Sequence, residues 1–93
     1  MILSFGDKET ERIWDGEVSR RLPIAIQLIA RRKLRMINNA RRPDDMRVPP
    51  SNRLEALKGD MKGQHSIRVN DQGRICIRWS DAGVSNVQIV NYH

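Results

Sequence analysis

The chain has a single cysteine, Cys76, among its 93 residues. An intramolecular disulfide is therefore excluded, and a reducing cytoplasm is the simplest setting. One cysteine and two histidines at these spacings make no metal site, so neither metal nor cofactor is expected. No apolar run approaches the ~18 residues needed to span a membrane, so no membrane partner is expected. The opening Met1 to Asp7 has no basic stretch and reaches acid at once, unlike a signal peptide. Internal repeats, low-complexity tracts and linkers are missing as well. The length supports one domain, residues 1–93. Area scaling buries about two thirds of the unfolded surface of such a chain, enough for a modest core. With 30% charged and 39% apolar residues, the composition is globular and not disordered.

Acid is also missing where base is densest. The net charge is +6, from 17 Lys and Arg against 11 Asp and Glu, and thirteen of the bases are Arg. Residues 1–19 carry net −3, residues 20–42 net +8 with no acid, and residues 43–93 net +1. One segment thus holds the excess, from Arg20-Arg21 through Arg31, Arg32, Lys33 and Arg35 to Arg41-Arg42. Arginine grips phosphate bidentately. A localised field of this kind steers a polyanion, with salt-dependent binding.

Helical signals come first along the chain. Ile2 to Phe5 reads as a short strand. Asp7 is an N-cap, with Glu9 and Glu11 early in a helix to about Asp15. Pro23 suits the first turn of a second helix, which runs to about Asn39. At 100° per residue, Ile26, Ile29, Ala30, Leu34, Met36 and Ile37 share one arc. Arg31, Arg32 and Arg35 fall outside it. Lys33 falls inside and has to snorkel. Ile24 and Leu28 lie on the Arg side, for packing on the first helix or on a partner.

Beyond the turn that runs from Arg42-Pro43-Asp44-Asp45 to Val48-Pro49-Pro50-Ser51-Asn52 the period becomes two. Leu54 to Gly59, His65 to Asn70, Arg74 to Ser80 and Val84 to Tyr92 read as strands joined by short turns. The class is α+β, with two N-terminal helices packed on a mainly antiparallel sheet of 4–5 strands. Opposed residues share a face. Matching apolar to apolar in the middle hairpin pairs Ile67 with Ile75 and Arg68 with Arg74. Two arginines side by side repel unless an anion sits between them, so this polar face is a candidate phosphate site. By the same register His65 falls on the apolar face and is expected to be a satisfied structural histidine. Trp14 and Trp79 are expected in the core. Cys76 lies on the polar face, with no partner to make it a nucleophile or ligand.

Several blocks resemble the RelE superfamily of bacterial toxins, and most closely its HigB branch. They are Arg53 to Asp60 (RLEALKGD), Gly63 to Asn70 (GQHSIRVN), Arg74 to Trp79 (RICIRW) and the ending Val90-Asn91-Tyr92-His93. Ser4-Phe5 and the block from Arg32 to Met36 also fit, so the resemblance covers essentially the whole chain. It implies a RelE-like fold and a toxin of a type II toxin–antitoxin pair. Such a toxin enters the ribosomal A site and cuts messenger RNA, as a metal-independent endoribonuclease. The implied partners are the ribosome, mRNA and a helix-turn-helix antitoxin of HigA type, with operator DNA reached only through the antitoxin complex. Two positions depart from the pattern. Asn91 stands where HigB-like chains usually have Asp, so a charge-based role there is lost. Gly73 stands where close relatives usually have Trp, which removes apolar area and adds freedom at a hairpin end.

RNA cleavage without metal needs a base for the ribose 2′-OH, a cation for the crowded phosphate, an acid for the leaving 5′-oxygen and a hold on the nucleotide. Glu55 matches the general-base position of some superfamily members. A free carboxylate is a weak base near neutrality, and desolvation by RNA strengthens it. Arg74 matches the transition-state arginine. Arg68 and Lys58 grip flanking phosphates, with Arg53 a weaker candidate. His93 is the best acid, since imidazole titrates near neutrality. Tyr92 stacks on a base or donates its hydroxyl, and Asn91 hydrogen-bonds His93 or RNA. Arg31, Arg32 and Arg35 supply the long-range grip on RNA. Two alternatives stay open. One is a ParE-like toxin of the same fold acting on a protein, which would lack the Glu, Arg and Tyr-His set. The other is a plain nucleic-acid-binding module, in which Arg20, Arg31, Arg32 and Arg35 matter and His93 does not.

Overall fold

Asp7 starts the first helix by satisfying an orphan N–H. In the computed structural model, which describes residues 1–91, α1 spans Lys8–Trp14. The Asp7 carboxylate accepts from the Thr10 N–H at 2.7 Å. Glu9 and Glu11 occupy the first turn, where the helix dipole favours acid. The buried Thr10 hydroxyl accepts from the Ile89 N–H at 2.9 Å and ties α1 to the sheet.

Helix α2 spans Ile24–Asn39, with Pro23 just before it. Ile26, Ala30, Leu34 and Ile37 form its buried stripe, while Ile29 and Met36 of the same arc are half-buried. Gln27 is buried too, but its amide is satisfied. Its Nε2 donates to the Ser19 and Leu22 carbonyls, and its Oε1 accepts from the Ser19 N–H. Ile24 and Leu28 are 76% and 64% exposed, so they do not pack on α1. Lys33 does not snorkel either. Its ammonium donates to Asn52 Oδ1, and burial lowers its pKa. Arg31 turns back to α1, its Nε donating to the Ile13 carbonyl at 3.0 Å. That bond adds a second donor to a carbonyl at the helix C-terminus, which also accepts from the Gly16 N–H at 3.2 Å.

Among the described residues the sheet has four strands in the order β1-β2-β3-β4, with neighbours antiparallel. They are β1 Glu55–Ala56, β2 Gln64–Arg68, β3 Gly73–Ser80 and β4 Gly83–Asn91. The α+β class is as expected. The strand expected over 54–59 is shorter, because Arg53 is left-handed (φ 47°) and Gly59 turns the chain (φ 66°). Strand β2 ends early because the Val69 and Asn70 N–H groups both donate to the Gly73 carbonyl. The expected strand over 2–5 is two isolated parallel bridges, Ile2 to Val84 and Phe5 to Val87. Between them β4 bulges at Asn86 (φ 52°), whose N–H donates to the Ser4 hydroxyl instead of a ladder carbonyl.

The core lies between α2 and one face of the sheet. Ile67, Ile75, Ile77, Val87 and Ile89 meet the α2 stripe, with Ile13 and Met46 at the sides. Each such side chain contributes roughly 1.5–3 kcal/mol by leaving water. Trp14 and Trp79 are half-buried at the margin of this core, not within it. Gly73 is not a loose hairpin end. It is buried, and a Cβ there would lie 2.7 Å from Ile26 Cδ1. Its missing side chain lets α2 pack onto the hairpin. His65 is half-buried, and its Nδ1 has no hydrogen-bond partner among the described residues. The expected satisfied histidine is therefore not found: its neighbours across the strands, Ala56 and Ile77, have apolar side chains.

Candidate active site

The other face of the sheet is polar, and its register is the one the hairpin pattern predicts. Ile67 pairs with Ile75 and Arg68 with Arg74. Glu55 lies opposite Ser66, and Ser66 opposite Cys76. The two arginines are thus adjacent, and each has its own acidic neighbour. Arg68 pairs with Asp71 and also donates from Nε to the Asn70 carbonyl at 3.2 Å. Arg74 Nη2 lies 3.4 Å from Glu55 Oε2. The repulsion expected of opposed cations is relieved here by carboxylates of the chain itself.

Arg74 is held by more than that ion pair. Its Nε donates to the Ser66 hydroxyl at 2.9 Å, and its Nη2 donates to the Arg53 carbonyl at 3.0 Å. Ser66 is 1% exposed. Arg53 follows the short 3-10 turn Pro50–Asn52 in a left-handed conformation, a state that costs a non-glycine residue about 1 kcal/mol or more. The fully buried Asn52 offsets that cost. Its Nδ2 donates to the Met46 carbonyl at 3.0 Å, and its Oδ1 accepts from Lys33.

Arg53, Arg68, Asn70, Asp71, Gly73 and Arg74 line an open depression of about 470 Å³. That volume lies within the ~300–1,000 Å³ typical of ligand sites. Its walls carry three guanidinium groups against the one carboxylate of Asp71, a net positive lining that suits a phosphate. Lys58 is exposed and caps the 3-10 turn after β1, away from this lining. Arg32 and Arg35 are exposed on α2, whereas the Arg31 guanidinium is committed to the Ile13 carbonyl. Cys76 sits in the polar-face row but is buried, which raises its thiol pKa. At the far edge the Asn91 backbone pairs with that of Gly73. Tyr92, His93 and the Asn91 side chain lie outside the described residues. Among the described residues no group of three His, Cys, Asp or Glu is placed to hold a metal. None of their helices is long and apolar enough to cross a membrane.

Residues 3–93 match the family model described as a RelE-like toxin of the type II toxin–antitoxin system HigB. The chain belongs to the HigB-like toxin family. It is 39% identical to Toxin HigB-1 of Vibrio cholerae over 90 residues, 96% of this chain and 95% of the relative. It is also 31% identical to an uncharacterised Haemophilus influenzae protein over 74 residues, 80% of this chain and 73% of that one. The RelE-like resemblance read from the sequence is correct, and the fold agrees with it. Membership of a type II toxin–antitoxin family implies an antitoxin partner.

Four residues that line the depression or support it are not singled out by the sequence. Asn70 reads only as the end of a strand and Asp71 only as a turn former. Ser66 was on the polar face by period but carried no charge to mark it. Asn52 read as a loop residue, and nothing in its spacing signals burial.

Proposed function

We propose that this HigB-like toxin is an endoribonuclease that cuts mRNA in the A site of translating ribosomes. The observation that carries the reading is the adjacency of Glu55 to Arg74, which itself lines a depression shared with Arg53 and Arg68. A base beside a phosphate-gripping cation is what in-line transesterification needs. Glu55 takes the 2′-OH proton. The 2′-oxygen attacks phosphorus, and the bond to the 5′-oxygen breaks. Arg74 stabilises the extra negative charge on the phosphate oxygens. His93 returns a proton to the 5′-oxygen, leaving a 2′,3′-cyclic phosphate. These side chains supply every proton and charge the step requires, so it runs without metal or cofactor.

Arg68, Arg53 and Lys58 hold flanking phosphates, and Tyr92 stacks on a base. Asn91, which cannot ionise, hydrogen-bonds His93 or RNA. Arg32 and Arg35 draw the toxin to ribosomal RNA, and Arg31 adds charge but little direct contact. A HigA-like helix-turn-helix antitoxin neutralises the toxin in the cytoplasm and carries it to operator DNA. The whole chain, 1–93, acts as one RelE/HigB-like domain.

Mapping transcript 5′ ends after inducing the toxin without its antitoxin tests this reading. Cuts should fall within translated codons and vanish when translation is blocked. Equal cutting of untranslated RNA would overturn ribosome dependence. A chain ending at Asn91 should leave transcripts whole, and undiminished cutting by it would remove Tyr92 and His93 from the mechanism.

A further inference from the structure

A guanidinium has five N–H donors in a fixed plane, so what holds one edge decides which edge faces substrate. At Arg74 the held edge is Nε and Nη2. The Ser66 hydroxyl takes the first and the Arg53 carbonyl the second, at 2.9 and 3.0 Å. The Nη1 amino group has no hydrogen-bond partner among the described residues. Three acceptors thus surround Arg74, and they differ in how readily they yield. Glu55 is 63% exposed in its side chain, and exposed ion pairs are weak and exchange easily. Ser66 is buried, and a hydroxyl deprived there of its partner has no water to replace it. An arriving phosphate can therefore displace Glu55 from Arg74, freeing the carboxylate, but not Ser66.

We infer that Ser66 is a positioning residue. Its hydroxyl, with the Arg53 carbonyl, fixes the roll of the Arg74 guanidinium so that the Nη1 side faces the scissile phosphate. The inference rests on the proposal that Arg74 stabilises the transition state. Without the Ser66 hydroxyl, Arg74 keeps its charge and its strand position but turns about its terminal bonds. The ground-state complex then forms as before, while the barrier rises.

The test compares Ser66→Ala, Ser66→Cys and Ser66→Thr in single-turnover cleavage of ribosome-bound mRNA. Ala and the isosteric Cys, a poor acceptor, should each slow cleavage ~10-fold with half-saturation by ribosomes unchanged within ~2-fold. Thr, which keeps the hydroxyl, should restore most of the rate. In an Arg74→Ala background Ser66→Ala should cost nothing more, as a double-mutant cycle requires of groups that act through one another. A readout without RNA accompanies these rates. The Arg74 Nε–H should give a resolved, slowly exchanging NMR resonance in the wild type and in Ser66→Thr, and not in Ser66→Ala. Wild-type rates in both the Ala and Cys variants, or a ~10-fold loss that persists without Arg74, would overturn the inference. If Arg74→Ala itself cuts normally, it is the proposed mechanism that fails. The resonance then still reports whether Ser66 holds the guanidinium.

Discussion

Helix α2 and the polar face of the sheet both carry arginine, but they hold it differently. Arg32 and Arg35 leave α2 into solvent. Arg74 makes two hydrogen bonds and an ion pair within the fold. A free cation on a flexible stem acts through the field it shares with its neighbours, so any one of them is replaceable. A cation fixed by neutral acceptors acts at one place and in one orientation, so it is not. The net charge follows the same division, with +8 in residues 20–42 and only +1 in residues 43–93. Within the highly charged part Arg31 and Lys33 are held by the fold, and the exposed Arg32 and Arg35 act through the field.

The largest effect should come from the fixed cation. Arg74→Ala should reduce mRNA cleavage in a translating extract by at least ~10²-fold, the scale of losing one preorganised donor to a developing anion. Ribosome binding should survive, as measured by co-sedimentation. Equal loss of binding and cleavage would make Arg74 one more member of the field and erase the distinction.

A smaller loss, on the order of 10-fold or more, is expected for Glu55→Gln. Gln keeps the shape and can still accept a bond from Arg74, but it takes up no proton. The pH–rate profile should lose its acid limb. If the profile keeps its acid limb, another group is the base.

Register was the part of the site most legible in the sequence. Period-two alternation with an odd loop places Arg68 beside Arg74, and the fold does the same. The helix cap at Asp7 and the buried stripe of α2 were legible for a similar reason, since both follow from local geometry. What the sequence concealed is tertiary and polar. Arg31 looked like a solvent-facing base because periodicity describes one helix and not the carbonyl of another. Lys33 looked like a snorkelling chain because its acceptor, Asn52, comes 19 residues later and is buried by segments that share no pattern with α2. Gly73 looked like lost packing, yet the packing is supplied by Ile26, which comes close because the side chain is missing.

The smallest effects separate the arginines of α2 from one another. Arg32→Ala and Arg35→Ala should each weaken ribosome association only ~2–3-fold, with about one unit less slope in log affinity against log salt. Neither should change thermal stability, because neither side chain is buried. Arg31→Ala should behave in the opposite way. It leaves the Ile13 carbonyl at the end of α1 with the Gly16 N–H at 3.2 Å but without its 3.0 Å charged donor. A bond of this charge-assisted kind is worth about 1.5–3 kcal/mol, and the Gly16 N–H that the carbonyl keeps should bring the loss toward the lower end. Denaturant unfolding should show that loss, while the salt slope changes no more than for Arg32→Ala. Three neighbouring arginines on one helix would then divide into one that holds the fold and two that supply its field. Equal stability in all three variants would instead return Arg31 to the field.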